Sequence, residues 1–404
     1  MRIFFSVGEP SGDLHGSNLI RHLQSIDPAI ECVGFGGPKM AGAGCKLQAD
    51  FTGMAVMLFL QVIAHIRTFL GFVRQADEYF AANKVDAVVL IDFPGFNWWI
   101  ARKAKARGIP VFFYGVPQMW AWGAWRTRKL RRSVDHAICK LPFEPEWFAQ
   151  RGCTAHYVGH PFFDQLTNQR YDEPFIEQLR GDHRPLLLLL PGSRNQEVES
   201  NWEMMRSAAM NCLKQIPQLR IAVGCFRENQ LKYVREDIDR NKLPILTFID
   251  RTPELMRAAD VCIACSGSVS LELMYHKLPT VIVYKTSRLT MWLHSMFIRC
   301  KYLTLVNLMA SDSIRRVGKK TYEPCDPNSV PVPMPEFLTS MDRSQDISKL
   351  VVNWLVHQDE RERNVNWLGK LREKFALPGA SGRAAELILQ RTGNCSIRKQ
   401  SQAA

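Results

Sequence analysis

The sequence predicts an α/β protein made of two Rossmann-like α/β domains facing across a cleft. Three observations carry that expectation. Short apolar runs alternate with helical segments from the first residues to "HYVGHPFFD", the alternation restarts at "RPLLLLLPGSR", and 404 residues at 46% hydrophobic content are enough for two cores of ordinary size. No fixed short period repeats along the chain, which excludes a solenoid.

The opening "RIFFSV" reads as a first strand. The polar, glycine-rich stretch behind it has no small-residue cleavage pattern, which argues against a signal peptide. A helix from about Leu14 to Ser25 and the strand "CVGFGG" follow. Next comes "MLFLQVIAHIRTFLGFV", Met57 to Val73. Its 17 residues sit at the lower limit of a bilayer-spanning helix (about 17–25), and Gln61, His65, Arg67 and Thr68 interrupt it, so a span is not expected. Leu58, Val62, Ile66, Phe69 and Val73 recur at helical spacing and make one greasy face, which either fills a core or meets lipid. "DAVVLID" is a strand ending at Asp92, a helix lies around Trp98 to Arg107, and the strands "IPVFFYG" and "HAICKLPF" stand either side of a basic run.

A polar stretch, Gln165 to Arg184, links the halves. In the second half "RPLLLLLPGSR", "RIAVGC", "PILTFID", "DVCIACSGS" and "PTVIVYK" are strands separated by helical segments. The proline-rich segment Glu323 to Pro335 reads as a loop, and an amphipathic helical region runs to about Gln390. The expected boundaries are 1–165 and 166–345 for the two domains, 346–390 for a C-terminal helical segment and 391–404 for a disordered tail.

The net charge of +13 calls for an anionic partner: a phosphorylated substrate, phospholipid headgroups or nucleic acid. The densest basic run, "WRTRKLRR", holds Arg126, Arg128 and Arg131 and follows Trp120 and Trp122. It reads as a solvated helix face or as an interfacial surface, since indole rings favour the headgroup layer. No nucleic-acid-binding module accompanies it, which argues against nucleic acid. Eleven scattered cysteines, several inside apolar runs, suit free thiols in a reducing cytoplasm.

Ligands of open parallel sheets collect beyond the carboxyl ends of the strands, and four such ends stand out. "SVGEPSGDLHG" sets Glu9, Ser11, Gly12 and Asp13 between a strand and its helix; they either admit a ligand to the helix start or cap an ordinary turn. "LLLLLPGSRNQE" ends a buried strand in Gly192, Ser193 and Arg194. Amides at the next helix start and the permanent cation of Arg194 suit a diphosphate without a metal, and the glycine-lysine-serine ending of a P-loop is missing. "CSGSVSLELMYHKLP" repeats the logic with Ser266, Gly267 and Ser268, while its Glu272 either accepts from ribose hydroxyls or lies on the surface. In "VVLIDFPGFNWW", Asp92 either takes a proton from an attacking hydroxyl or caps the next segment.

Other patterns are set aside. "CIAC" has zinc-like spacing but no second pair, "DID" at Asp237 to Asp239 lies in a charged helix, and His160 in "VGHP" is either an acid–base group or a turn histidine. No serine-centred elbow or metalloprotease motif occurs.

In order along most of the chain, "GEPSGD", "GGPKMAGAGC", "AVM", "IDFPGFN", "PQMWAW", "LPFE", "VGHP", "LLPGSR", "SGSVSLE" and "NLMA" resemble the lipid-A-disaccharide synthase family, glycosyltransferase family 19 of the GT-B fold. The resemblance implies an inverting transfer. UDP-2,3-diacylglucosamine would be joined through its anomeric carbon to the 6-hydroxyl of 2,3-diacylglucosamine 1-phosphate, giving the β-1,6-linked disaccharide and UDP at the cytoplasmic face of the inner membrane. It implies Asp92 as general base and Arg194, with Gly192 and Ser193, in the UDP loop. Ser266, Gly267, Ser268 and Glu272 would lie on the nucleotide side with Asn307 nearby, and Glu9, Ser11, Gly12 and Asp13 on the acceptor side. The UDP-sugar is a substrate; no cofactor and no metal are implied.

Leu58, Phe59, Val62, Ile66 and Phe69, with Trp120, Trp122, Arg126, Arg128 and Arg131, would then face an anionic phospholipid surface. A homodimer is left open. Pro10, Leu58, Gln61 and Val306 depart from the family pattern and cluster toward the acceptor and lipid side, where substrate preference would differ. The competing readings are a related GT-B enzyme using a UDP-sugar, with another acceptor or as an epimerase, and a non-catalytic basic protein binding membrane or nucleic acid.

Overall fold

The computed structural model is described over residues 1–51, 66–316 and 322–393. It divides into two compact units, residues 1–167 with 377–404 and residues 168–376.

The first unit alternates strand and helix: β1 (Arg2–Val7), α1 (Pro10–Ile26), β2 (Glu31–Gly36), α2 (Pro38–Gly42), β3 (Lys46–Asp50), α3 (Ile66–Ala82), β4 (Ala87–Ile91), α4 (Pro94–Ala106), β5 (Val111–Tyr114), α5 (Thr127–Ser133), β6 (His136–Cys139), α6 (Glu144–Ala149), β7 (Ala155–Tyr157) and α7 (Phe162–Thr167). All pairings are parallel, in the order β3-β2-β1-β4-β5-β6-β7. Helices covering both faces of such a sheet bury its central strands completely, which is why β4, "AVVLI", is an unbroken apolar run.

The second unit holds α8 (Glu173–Gly181), β8 (Leu186–Leu190), α9 (Asn195–Gln215), β9 (Arg220–Cys225), α10 (Glu228–Asn241), β10 (Ile245–Ile249), α11 (Thr252–Ala258), β11 (Val261–Cys265), α12 (Val269–Tyr275), β12 (Thr280–Lys285), α13 (Arg288–Phe297), α14 (Leu305–Ala310), β13 (Glu336–Thr339), α15 (Ser344–Val356) and α16 (Gln358–Phe375). Its parallel sheet runs β10-β9-β8-β11-β12-β13. Leucine favours helix over strand, yet the five of β8 are extended and buried. Pro185 and Pro191 bracket the run, and a proline disfavours helical backbone in the residue before it.

β3 and β13 are edge strands that no long apolar run announces. The C-terminal region also divides where one helical segment, 346–390, was expected. α15 and α16 stay in the second unit, but α17 (Ala380–Arg391) joins the first. Its Ala384, Ala385, Ile388 and Leu389 share a core with Leu19, Ile20 and Leu23 of α1. The break falls at Pro378 and Gly379, the glycine taking φ 88°. The Asp164 carboxylate caps the new helix, accepting from the backbone amides of Gly379 (2.6 Å), Ala380 (3.1 Å) and Ser381 (3.0 Å). Most of the tail expected at 391–404 lies outside the described residues, as do Leu58, Phe59 and Val62.

In each sheet the strand order reverses beside the first strand, between β1 and β4 and between β8 and β11. Sheets of this kind bind ligands outside the carboxyl ends of the strands at that reversal. The loops leaving those four strands are the four singled out from the sequence. Among the described residues no helix is long and apolar enough to cross a membrane.

Candidate active site

Asp92 follows β4 directly. It and Phe93 both take left-handed backbone, φ 52° and 41°, a conformation that costs a non-glycine residue roughly 1–2 kcal/mol. Asn97, buried in α4, holds the turn. Its Nδ2 donates to the carbonyls of Ser6 (3.1 Å), Ile91 (3.3 Å) and Asp92 (2.8 Å), and its Oδ1 accepts from Ser6 Oγ at 2.6 Å. α4 has no side-chain cap, and no hydrogen bond among the described residues ends on the Asp92 carboxylate. Of the two roles the sequence leaves open, capping is therefore excluded. Burial raises the pKa of Asp92 above the usual carboxylate value, while the Lys140 ammonium opposes the rise. α1 passes so near that a Cβ on Gly12 would lie 2.9 Å from Asp92 Oδ2, a space only glycine leaves.

Glu9 and Ser11 are exposed at the start of α1. Asp13 is spent on the fold: its carboxylate accepts from the amides of Gly37, Lys39 and Met40, each at 3.0 Å, and so caps α2. His160 is neutral, burial holding it well below its ordinary pKa, and its Nδ1 accepts from the Phe162 amide at 3.2 Å, a turn contact.

Two residues expected to face lipid face inward instead. Trp120 is 6% exposed, and its Nε1 donates to Glu144 Oε1 at 3.0 Å; a fixed buried acceptor holds the indole where a bilayer cannot reach it. Phe69 packs among Phe51, Phe93 and Phe96, beneath the strained turn, and Leu70 takes the outer position at 51% exposure. Ile66 opens α3. Trp122 stays exposed with the Arg126 guanidinium 4.0 Å above its ring, and Arg128 and Arg131 are exposed.

In the second unit Gly192 takes φ 147°, and a Cβ there would lie 2.5 Å from Glu197 Cβ. Glu197 Oε2 accepts from the amides of Ser193 (3.0 Å) and Arg194 (3.1 Å), and its Oε1 accepts from Arg194 Nη1 at 3.0 Å. A carboxylate thus already sits on the amides that a diphosphate oxygen would take at the start of α9. Asn201 ties this loop to the end of β12, donating to the Pro191 carbonyl (3.1 Å) and accepting from the Lys285 amide (2.8 Å), and Gln230 Nε2 donates to the Ser193 carbonyl at 3.0 Å. A cavity of ≈ 480 Å³ lies here, lined by residues that include Arg194, Asn201, Lys285, Ser287 and Thr290. Lys285 ends a strand, the signal that picks out Asp92, and sequence reasoning missed it. Asn201, inside a helix, carries no such signal.

Ser266, Gly267 and Ser268 connect β11 to α12, and a Cβ on Gly267 would meet open space. Glu272 on α12 is pushed up to about 7, by burial first and by Glu254 second. The carboxyl donates to a sugar hydroxyl when protonated and accepts from one when ionised, so either form can pair with it. Because the folded pKa is raised, the stability held by the protonated form is complete below the ordinary value of 4.5 and is lost as pH rises through about 7. Glu272→Gln should therefore flatten the fall in unfolding free energy between about pH 4.5 and 7, by on the order of 2 kcal/mol in denaturant titrations. An unchanged slope would mean that the carboxyl stays solvated.

Asn307 is buried and engaged by its own unit. Its Nδ2 donates to the Met334 carbonyl (2.7 Å) and Glu336 Oε2 (3.0 Å), and its Oδ1 accepts from the Met334 amide (3.1 Å), so both polar atoms tie α14 to the approach of β13.

A family model described as lipid-A-disaccharide synthetase matches residues 3–366. The chain belongs to the lipid-A-disaccharide synthetase family. A relative in Myxococcus xanthus (strain DK1622), the lipid-A-disaccharide synthase, is 30% identical over 390 residues, spanning 96% of this chain and 97% of the relative. Among solved structures, the S. aureus MnaA–UDP co-structure superposes with a TM-score of 0.63 at 9% identity over 96% of each chain. The glycotransferase of kitacinnamycin gives 0.59 at 14% over 97% of this chain and 98% of its own. Those two likenesses are of fold alone, the GT-B type. As a lipid-A-disaccharide synthetase family member, the chain is a glycosyltransferase of lipid A biosynthesis.

Proposed function

We propose that the chain joins UDP-2,3-diacylglucosamine to 2,3-diacylglucosamine 1-phosphate, with Asp92 as general base and the β8 and β11 loops as the UDP site. The observation that carries this reading is the unengaged Asp92 carboxylate on a strained turn at the sheet reversal. Asp92 takes the proton of the acceptor 6-hydroxyl as that oxygen attacks the anomeric carbon. The bond from this carbon to the diphosphate oxygen breaks, and its electron pair leaves with UDP. One displacement inverts the centre, which gives the β linkage.

The departing charge is met by the Arg194 guanidinium, whose side chain is 81% exposed, and by the amides of Ser193 and Arg194 once Glu197 yields them. Glu272 serves the ribose. The reading needs no metal, because a permanent cation and a helix start already supply positive charge. UDP release that requires both donor and acceptor tests the proposal; a folded sample releasing none would sink it.

Both substrates carry acyl chains, so the reading places the enzyme on the inner face of the inner membrane, with Trp122, Arg126, Arg128 and Arg131 against anionic headgroups. Binding to phosphatidylglycerol vesicles is then expected to fall several-fold as salt rises from about 0.05 to 0.5 M, a range over which the Debye length shrinks below about 5 Å. Salt-independent cosedimentation would count against this surface.

A further inference from the structure

Asp92 shares a small cavity in the first unit with His15, Tyr114, Gly115 and Lys140. Lys140 follows β6 and is fixed at its root. Its amide and that of Leu141 both donate to Glu144 Oε2 at 3.0 Å, and Glu144, 2% exposed, accepts from Trp120 Nε1 through its other oxygen. The side chain then runs across Gly115, at φ 73°, where a Cβ would lie 2.9 Å from both Cε and Nζ. A glycine there leaves the ammonium its path. At its tip Lys140 makes no hydrogen bond or ion pair among the described residues, and no other cation lines the cavity.

Every element packed around Asp92 leaves that ammonium as its counter-charge. From α1 comes His15, pulled down to about 3 by burial and so neutral, its Nδ1 without a partner. From β5 comes Tyr114, 1% exposed and neutral because burial raises its pKa. After β7 comes the neutral His160. Asp164 of α7 is engaged in capping α17, and Arg383 of α17 donates to the carbonyls of Val158 and Pro378. Among neutral groups nothing would offset the rise that burial imposes on the Asp92 carboxyl, whereas an opposite charge within about 4–6 Å lowers such a pKa by about 1–3 units.

We infer that Lys140 is a positioning residue for the base: its ammonium, carried on a fixed backbone and sharing the cavity with Asp92, keeps the carboxylate ionised until the acceptor hydroxyl delivers its proton. The inference rests on the reading of Asp92 as general base. It is tested in the full chain by the pH profile of kcat/KM for UDP release. Lys140→Met is expected to move the acid limb up by about one pH unit, a tenfold loss below the limb that high pH restores, with acceptor KM nearly unchanged. Lys140→Arg, which keeps the charge, should keep the wild-type limb.

Superimposable limbs for wild type and Lys140→Met overturn the inference. A rise in acceptor KM at every pH also overturns it, since Lys140 would then hold the acceptor phosphate. If Lys140→Met does not fold, Lys140→Gln replaces it, and the Asp92 carboxyl titration, located by carbon NMR as the signal missing from Asp92→Asn, reads the same shift without turnover. The two readings fail separately. Turnover surviving Asp92→Asn removes the base itself, whereas an inactive Asp92→Asn with an unmoved Lys140→Met limb removes only the role of Lys140.

Discussion

Asp92→Asn is expected to slow UDP release by about 10²–10⁴-fold, the range a positioned general base contributes, while UDP affinity in calorimetry stays within about twofold. Asparagine keeps the size of the side chain and removes its ability to take a proton. It also suits the backbone, because asparagine is among the few residues that tolerate φ 52°. The turn held by Asn97 should therefore persist, and the far-ultraviolet dichroism with it. Since no hydrogen bond among the described residues ends on the carboxylate, the substitution orphans no donor. Loss of UDP binding in step with turnover would show that Asp92 acts on the fold.

Arg194→Ala should lower kcat by about 10²–10³-fold, the loss seen when one group stabilising developing charge is removed. Stability should barely change. The side chain is 81% exposed and pairs with Glu197 three residues along the same helix start, and such surface pairs contribute at most about 1 kcal/mol. Arg194→Lys should recover only part of the rate, because an ammonium lacks the planar two-point fork that grips a diphosphate. The loop itself should survive, since Asn201 and Gln230 hold the Pro191 and Ser193 carbonyls independently of Arg194. Rates from single-turnover UDP release decide the matter; an Arg194→Ala enzyme of wild-type rate would move the positive charge elsewhere, with Lys285 in the same cavity the first residue to examine.

The four loops were legible because their signals are local. A buried strand is an apolar run, its end is marked by glycine, proline or serine, and strand order follows from alternation with helices. Asp92 stood out as a carboxylate ending such a run, and the structure adds the strained turn and Asn97. Side-chain partners were less legible because they come from far along the chain. Trp120 meets Glu144 across 24 residues, Asp13 meets Met40 across 27, and Asn307 meets Glu336 across 29. Each has the composition of a surface or site residue and the surroundings of a scaffold residue. Phe69 belongs with them: its spacing marks a greasy face, but only the position of Phe93 decides which way that side chain turns.

By itself the sequence determined two Rossmann-like halves, the loops at their strand ends and the family, because periodicity, punctuation and motif order are properties of the chain read in one dimension. Only the tertiary structure decided which of the marked side chains are free to react. Asp13, Trp120 and Asn307 have their polar atoms engaged by distant backbone and carboxylate groups, while Asp92 has none so engaged and stands beside Lys140. The physical reason is that a buried polar atom must find a partner in the fold. Which atoms find one, and which are left for a substrate, depends on elements that the sequence keeps apart and packing brings together.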